Sequence, residues 1–251
     1  MARKMHSRKV LRTDMSRLLR MSQSCGGFTL VELLVVISVL AMLAAFLLPA
    51  LASGNAKAQS TQCVNNLRQW GLAYRMYADD NHDYLPRRGQ GVQLLALIDR
   101  PDDWFNALPP YFGSKPYQDL VAASNAPAAH SRSIFVCPTA INPGGTYFLP
   151  YGMNMNLSPW NLPLATKFGS VIQPTSVVAM ADSPGPYASV YPSVKPYSAI
   201  ARHGHRVNVL FLIGEVQSFS GSYVGCGVGD PKRQDVRWLT GTVSDSQAHN
   251  Y

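Results

Sequence analysis

The stretch that decides the fold begins Gly27-Phe28-Thr29-Leu30-Val31-Glu32 and continues without another charged residue to Ala50. Apart from Glu32 and two small hydroxyl side chains, residues 28–50 are apolar. As an α-helix these 23 residues would measure about 35 Å, at roughly 1.5 Å per residue. A hydrocarbon core of about 30 Å is within that length, so the segment predicts a membrane-spanning helix.

The positive charge of the chain is concentrated before this helix. The 251 residues carry a formal net charge of +8, from 22 Lys+Arg against 14 Asp+Glu. Residues 1–27 hold seven basic residues and one acid, Asp14, so +6 of the charge lies there and +2 in the remainder. A basic flank predicts that the N-terminus stays cytoplasmic, and it argues against nucleic acid as a partner of the rest of the chain.

Two ordinary membrane interpretations compete at this point. The apolar run is either a plain signal anchor or a secretory signal peptide cut after Ala50-Leu51-Ala52, which has the A-x-A form. The uncharged stretch Leu33–Leu48 is slightly long for the apolar region of a signal peptide, and the basic region before it is very long.

A third interpretation accounts for the Gly27-Phe28 border, the acid at Glu32 and the proline at Pro49. Together they resemble the N-terminus of type IV prepilins and type II secretion pseudopilins. The resemblance implies cleavage after Gly27 by a prepilin peptidase, methylation of Phe28, and a mature chain of 251 − 27 = 224 residues. It also implies that Glu32 meets the α-amino group of Phe28 on a neighbouring subunit during assembly.

The same resemblance implies partners and a location. The partners are the prepilin peptidase/methyltransferase, other pilin-like subunits, and a secretion or pilus assembly platform. The location is the inner membrane, crossed once, with the head periplasmic or extracellular. Pro49 cannot donate a helical hydrogen bond, so we expect it to kink or locally melt the helix.

Beyond Pro49 the pattern becomes amphipathic and predicts an α+β fold. Apolar residues at spacings of 4, 3, 4 and 3 mark one helical face that packs on a core: Cys63, Leu67, Trp70, Tyr74 and Tyr77. We expect one helix from about Phe28 to Ala78, packed on a small antiparallel β-sheet head. The predicted segments are a leader at 1–27, a transmembrane and assembly helix at 28–50, an amphipathic helix at 51–80, and a head at 81–251.

Short apolar runs between Pro/Gly-rich loops predict the strands of the head. We expect a helix-poor insertion over Pro86–His130, with a short helix near Gln93–Ile98, and an exposed loop over Pro184–Tyr197. The candidate strands are Ile134–Cys137, Tyr147–Met153, Ser176–Asp182, Val207–Leu212 and Glu215–Phe219.

The head resembles the large-headed pilin-like proteins of planctomycete and verrucomicrobial genomes. The stretches that carry the likeness start at Cys63, Phe135 and Tyr151, and a fourth begins at His203. Many members of that family carry a His-x9-Asp-Gly element in a terminal hairpin. Here Ile213 occupies the Asp position before Gly214, so the element is degenerate and only its hairpin turn is expected.

The cysteines predict a disulfide and no metal site. Cys25 leaves with the leader, and Cys63 on the helix is expected to bridge Cys137, with Cys226 free. No C-x-x-C spacing supports metal binding, and the Asp79–Asp83 segment lacks the pattern of a calcium loop. His203 and His205 are expected at the surface, and the sequence does not fix the distance from Asp182 to His203.

The sequence therefore favours a structural subunit without a cofactor and without enzymatic activity. The alternatives are a membrane-anchored exoplasmic ligand-binding protein and an anchored enzyme. None of the common nucleotide, hydrolase or metalloprotease motifs occurs in the chain.

Overall fold

The long N-terminal helix predicted from the sequence is present. The computed structural model describes residues 27–88, 95, 100–142, 144–145, 147–158 and 165–242. Helix α1 spans Leu30–Asp80, within two residues of the predicted bounds. It ends where His82 and Asp83 adopt left-handed backbone angles and the Asp83 amide donates to the carbonyl of Ala78 at 2.9 Å.

The chain divides into two compact units, residues 1–50 and 51–251. In the first unit, residues 27–50 are exposed along their whole length. In the second, one face of α1 is buried in the core of the head. The prediction that residues 63–77 of α1 form a packing face is confirmed, since Cys63, Leu67, Trp70 and Tyr74 are fully buried and Tyr77 packs against the same core.

The head contains a five-stranded sheet in the order β3-β1-β2-β4-β5. The pairs β1/β2, β2/β4 and β4/β5 are antiparallel, whereas β1 and β3 are parallel. The α+β class is confirmed, but the sheet is mixed. The strands are β1 Leu149–Asn154, β2 Val178–Gly185, β3 Ser189–Val190, β4 Arg206–Phe211 and β5 Val216–Ser220.

Chain direction explains the parallel pair. β2 runs antiparallel to β1, and the chain reverses after Gly185, whose φ is +116°. A strand that follows such a reversal must run parallel to β1, and β3 does so at the edge of the sheet. The predicted exposed loop over Pro184–Tyr197 is therefore wrong in part, because Ala188 and Val190 are buried.

One predicted strand, Ile134–Cys137, is wrong. Its residues Phe135–Cys137 are buried, but two of its carbonyl groups accept hydrogen bonds from side chains of α1 and not from a neighbouring strand. The Trp70 indole donates to the carbonyl of Ile134 at 3.2 Å, and the Asn66 amide donates to that of Val136 at 3.0 Å.

The described part of the insertion before β1 contains two short helices, α2 Trp104–Ala107 and α3 Tyr117–Ala122, with a 3₁₀ turn at Pro109–Phe112 between them. The helix predicted near Gln93–Ile98 lies outside the described residues apart from Leu95. The last helix, α4, is Gly221–Val224. The predicted turn at Ile213-Gly214 is confirmed, since it joins β4 to β5.

The sheet has an apolar cluster on each face because successive strand residues point in opposite directions. On β4, Val209 belongs to the smaller cluster with Trp238, and Leu210 belongs to the larger cluster that includes the buried face of α1. Trp70 is central to the larger cluster. Its ring lies edge to face against Trp104, Phe112 and Phe135, with centroid distances of 5.1, 4.9 and 5.5 Å.

We expect Trp70→Ala to lower the free energy of unfolding of the head by about 3–5 kcal/mol, because it leaves a cavity among three aromatic rings. Leu72→Ala, on the same helix but 67% exposed, should change it by about 0.5 kcal/mol or less. Chemical denaturation in detergent, followed by near-ultraviolet circular dichroism, measures both. Equal losses in the two variants would contradict the assigned core.

Candidate functional site

The first turn of α1 contains a reciprocal pair of hydrogen bonds between Thr29 and Glu32. The Thr29 amide donates to Oε2 of Glu32 at 2.9 Å, and the Glu32 amide donates to Oγ1 of Thr29 at 3.2 Å. The Thr29 hydroxyl also donates to the same carboxylate oxygen at 2.8 Å. This is a capping box, which satisfies backbone groups that the start of a helix leaves free.

The pattern Thr29-x-x-Glu32 is visible in the sequence, but the resemblance to prepilins implies only an assembly role for Glu32. The structure adds a local role, because the carboxylate fixes the start of α1. The assembly role of Glu32 stays a prediction, as does cleavage between Gly27 and Phe28.

The helix after this cap is apolar and open on every side. Among the described residues, α1 is the one helix long and apolar enough to cross a membrane. It lies near the N-terminus, where a signal sequence would have the same length and apolar composition. Phe28 is 74% exposed, and the large apolar side chains from Leu30 to Leu51 are exposed as well. Such a surface is stable in lipid or against other helices. Helical backbone continues through Pro49, whose role in assembly stays a prediction.

A second candidate site lies inside the head. Cys63, Cys137, Asp182 and His203 each present one ligand-type atom, and these four atoms all lie within 4.8 Å of one another. Cys63 comes from α1, Cys137 from the loop before β1, Asp182 from β2, and His203 from the turn before β4. Among the described residues, no other group of three or more His, Cys, Asp or Glu side chains is this close.

The contacts in this cluster are short and specific. Cys63 Sγ lies 3.4 Å from Oδ1 of Asp182, and Cys137 Sγ lies 3.3 Å from Nε2 of His203. The same Nε2 lies 3.9 Å from Oδ2 of Asp182. The two cysteines and Asp182 are fully buried, and the His203 side chain is 4% exposed.

Further groups hold the cluster from outside. The Tyr151 hydroxyl donates to Cys63 Sγ at 3.3 Å, and the backbone amide of Asn208 donates to Oδ2 of Asp182 at 2.9 Å. Thr139 Oγ1 lies 3.2 Å from Cys137 Sγ. Arg202 places a guanidinium nitrogen 3.5 Å from Oδ1 of Asp182 and donates to the carbonyl groups of Pro150 and Ser183.

These contacts shift the pKa values of the cluster. The contact with Cys63, aided by His203 and opposed by burial, lowers the pKa of Cys137 to about 4. Burial, reinforced by the nearby Cys137, raises the pKa of Asp182 to about 6 against the opposing effect of Arg202. Burial raises the pKa of Cys63. Cys137 is therefore the sulfur with the stronger thiolate character.

The geometry differs from that of a Cys-His-Asp nucleophilic triad. In a triad the nucleophile and the orienting carboxylate use opposite nitrogens of the imidazole ring. Here Cys137 and Asp182 both face Nε2 of His203, and Nδ1 of His203 has no hydrogen-bond partner among the described residues. Cys137 is also fully buried, so no substrate reaches its sulfur without movement of the fold.

The structure brings Cys63 and Cys137 together and leaves Cys226 outside the cluster. All three are free thiols here, and a Cys63–Cys137 disulfide stays a prediction. The expectation of His203 at the surface is wrong, because its side chain is nearly buried, whereas His205 is exposed.

The acids at the end of α1 have separate partners. Asp79 forms an ion pair with Arg75 at 2.9 Å. Asp80 accepts from the Tyr111 hydroxyl at 3.1 Å, and Asp83 accepts from the Gly169 amide at 2.9 Å. Asp80 and Asp83 thus attach neighbouring segments, whereas Asp79 pairs within α1.

Comparison with known proteins finds a matching family model and several relatives of the chain. The family model described as "Prokaryotic N-terminal methylation motif" matches residues 22–48. The type II secretion system core protein G of Pseudomonas aeruginosa is 31% identical over 113 residues, which are 41% of this chain and 78% of that protein. The core protein G of Escherichia coli is 35% identical over 77 residues, 31% of this chain and 52% of that protein.

The type IV wide pilus major component PilA4 of Thermus thermophilus is 37% identical over 72 residues, 29% of this chain and 55% of that protein. The chain thus spans about half the length of PilA4 and of the core protein G of Escherichia coli. No solved structure matches the chain to a significant degree.

A long apolar N-terminal helix that continues into an α+β head defines a pilin-like protein. With the motif at residues 22–48 and the extent of the likeness to core protein G, the chain belongs to the family of type II secretion pseudopilins and type IV pilins. Its one apolar N-terminal helix fits a membrane anchor that crosses the bilayer once.

We expect Arg202→Met to lower the free energy of unfolding by about 3–5 kcal/mol, since it leaves the buried Asp182 carboxylate without its cationic partner. Arg206→Met is the matched control, because Arg206 is exposed and its guanidinium donates to the half-buried Ser218 and to no buried carboxylate among the described residues; its effect should be about 0.5 kcal/mol or less. Chemical denaturation compares the two, and equal stabilities would contradict a structural role for Arg202.

Proposed function

We propose that the chain is a pilin-like precursor that is cleaved between Gly27 and Phe28, methylated at Phe28, and assembled into a type II secretion pseudopilus or a type IV pilus-like filament. Its role is structural and not enzymatic. The observation that carries the proposal is the match of residues 22–48 to the N-terminal methylation motif, at the start of an apolar helix whose side chains are exposed.

The exposed helix supports assembly by helix packing. Its apolar surface is stable in the membrane before assembly, and packing against the same helix of other subunits would keep it from water afterwards. The partners in this proposal are a prepilin peptidase/methyltransferase, other pilin-like subunits and an assembly platform. The basic segment before Gly27 supports a cytoplasmic N-terminus, with the head on the far side of the inner membrane.

Glu32 is the residue that we propose sets the register between subunits. A carboxylate within an apolar helix is costly in lipid unless it meets a partner. Here its oxygen accepts from Thr29, which keeps the negative charge in the first turn of α1. A protonated α-amino group at Phe28 of a neighbouring subunit would complete the pairing.

Processing can be tested on the intact chain. Co-expressed with a prepilin peptidase, the protein should yield a mature N-terminus at N-methyl-Phe28 by mass spectrometry. Gly27→Val should retain the leader without disturbing α1, because a Cβ at Gly27 meets no other atom. Gly26→Ala serves as the neighbouring control and should be cleaved. An intact Met1 in the wild-type chain, or a terminus at Ser53, would refute processing at Gly27.

Assembly separates the two roles of Glu32. Glu32→Gln keeps a side-chain acceptor for the capping box but removes the charge, so it should insert and be cleaved while filament yield falls by at least about tenfold, as expected when an ion pair is lost in a low-dielectric setting. The control is Glu215→Gln, at the chain's other glutamate, which is exposed.

Filament yield is measured by shearing and immunoblotting, with membrane insertion measured in parallel. A wild-type filament yield from Glu32→Gln would contradict the proposed charge pairing. A loss confined to Glu32→Ala would assign Glu32 to the helix cap alone.

A further inference from the structure

We propose that Cys63, Cys137, Asp182 and His203 are the four ligands of one tetrahedral zinc ion that joins α1 to the sheet of the head. The proposal does not depend on the filament function, since it concerns how the head is held together.

The distances fit a tetrahedral site. With Zn–ligand bonds of about 2.0–2.3 Å, the ligand atoms of such a site lie about 3.3–3.8 Å from one another. The contacts Cys63 Sγ–Asp182 Oδ1 and Cys137 Sγ–His203 Nε2 measure 3.4 and 3.3 Å. His203 Nε2 lies 3.9 Å from the other carboxylate oxygen of Asp182, Oδ2, and with one ligand atom taken from each residue, all four atoms lie within 4.8 Å of one another. Small side-chain movements complete the tetrahedron.

The orientation of His203 supports a metal over a hydrogen-bonded pair. Its Nε2 faces a sulfur and a carboxylate oxygen at once, and one ring nitrogen cannot donate its single proton well to both. An ion placed between the ligands would accept the Nε2 lone pair and bind the sulfur and the oxygen as well. The proton of His203 would then lie on Nδ1.

The donor set selects zinc. Thiolate, imidazole and carboxylate are the three ligand types that zinc binds, whereas calcium and magnesium require mostly oxygen donors. The charges also balance: two thiolates and Asp182 give −3, and the ion with the Arg202 guanidinium, 3.5 Å from Asp182, gives +3. A site of zero net charge suits a buried position.

The surrounding groups suit deprotonated ligands. Tyr151 donates its hydroxyl proton to Cys63 Sγ, and the Asn208 amide donates to Asp182. Both bonds persist when the ligands bind a cation, and such outer hydrogen bonds orient metal ligands. The thiol proton of Cys63, which points to Asp182, is the one that the ion would replace.

A disulfide between Cys63 and Cys137 is the competing state of the same sulfurs. It would use two of the four converging groups and leave Nε2 of His203 facing Oδ2 of Asp182 at 3.9 Å. The zinc site uses all four groups. It joins ligands that lie up to 140 residues apart in the sequence, Cys63 and His203.

The test uses the full chain, purified in detergent with a phosphine reductant and without chelators. Elemental mass spectrometry should find one zinc per chain. Replacement by Co²⁺ should produce a thiolate-to-cobalt charge-transfer band in the near ultraviolet together with the intense visible bands of tetrahedral cobalt. The cobalt spectrum tests the site in the wild-type protein, whether or not any variant folds.

Variants identify the ligands. Cys137→Ser and His203→Gln should each weaken zinc binding by more than the roughly 10–100-fold that loss of an outer-shell group costs. Cys226→Ser and His205→Gln are the matched controls, because these residues lie outside the cluster, and both should retain one zinc. Circular dichroism confirms that each variant is folded.

Two results would overturn the zinc site. One is wild-type protein that takes up no zinc or cobalt and, in non-reducing peptide mapping of untreated membranes, shows Cys63 bridged to Cys137. The other is full zinc retention by folded Cys137→Ser and His203→Gln.

Discussion

Trp70 lies where three aromatic rings meet it edge to face, and its indole N–H donates to a carbonyl of the loop that contains Ile134. Those contacts attach α1 to the insertion before β1 and to the loop that carries Cys137. Because a helix is rigid, burial of Trp70 also buries Leu67 one turn before it and Tyr74 one turn after it. The head is thus arranged around one face of one helix.

The polar cluster follows from the same constraint. Cys63 lies seven residues before Trp70, on the same face, so it must point into the head. There it meets Asp182 on the central strand β2, and a buried carboxylate needs compensation. Arg202, the Asn208 amide and the Cys63 thiol supply it. These contacts also draw in the turn after Arg202, and with it His203.

The sequence predicted those features of the fold that are determined by residues close together along the chain. The length of α1, its buried stripe, the β4–β5 turn and four of the five strands follow from local periodicity and from glycine positions. Ile134–Cys137 resembles a strand in composition, yet its carbonyl groups bond to Asn66 and Trp70. Two-residue β3 is too short to produce a periodic signal.

The cluster could not have been predicted in full. Its four residues come from four separate segments, and no spacing along the chain relates them. The sequence did indicate that Cys63 and Cys137 meet, because one lies on the buried stripe and the other beside an apolar run. Asp182 and His203 join them only through the pairing of β2 with β4. By contrast, the capping box of Thr29 and Glu32 can be predicted from the pattern Thr29-x-x-Glu32 alone. The resemblance to prepilins implies only the assembly role of Glu32.

In the proposed assembly, the leader must be cleaved before subunits can pair through Glu32, because of the chemistry at the first turn of α1. While Gly27 is bonded to Phe28, the nitrogen of Phe28 is an uncharged amide and offers no cation to a neighbouring Glu32. Cleavage converts it to an amine, which remains basic after methylation and is protonated at neutral pH. The capping box depends on the Thr29 amide and hydroxyl, which cleavage leaves unchanged. Processing would therefore add the cation that pairs subunits without altering the helix that presents the carboxylate.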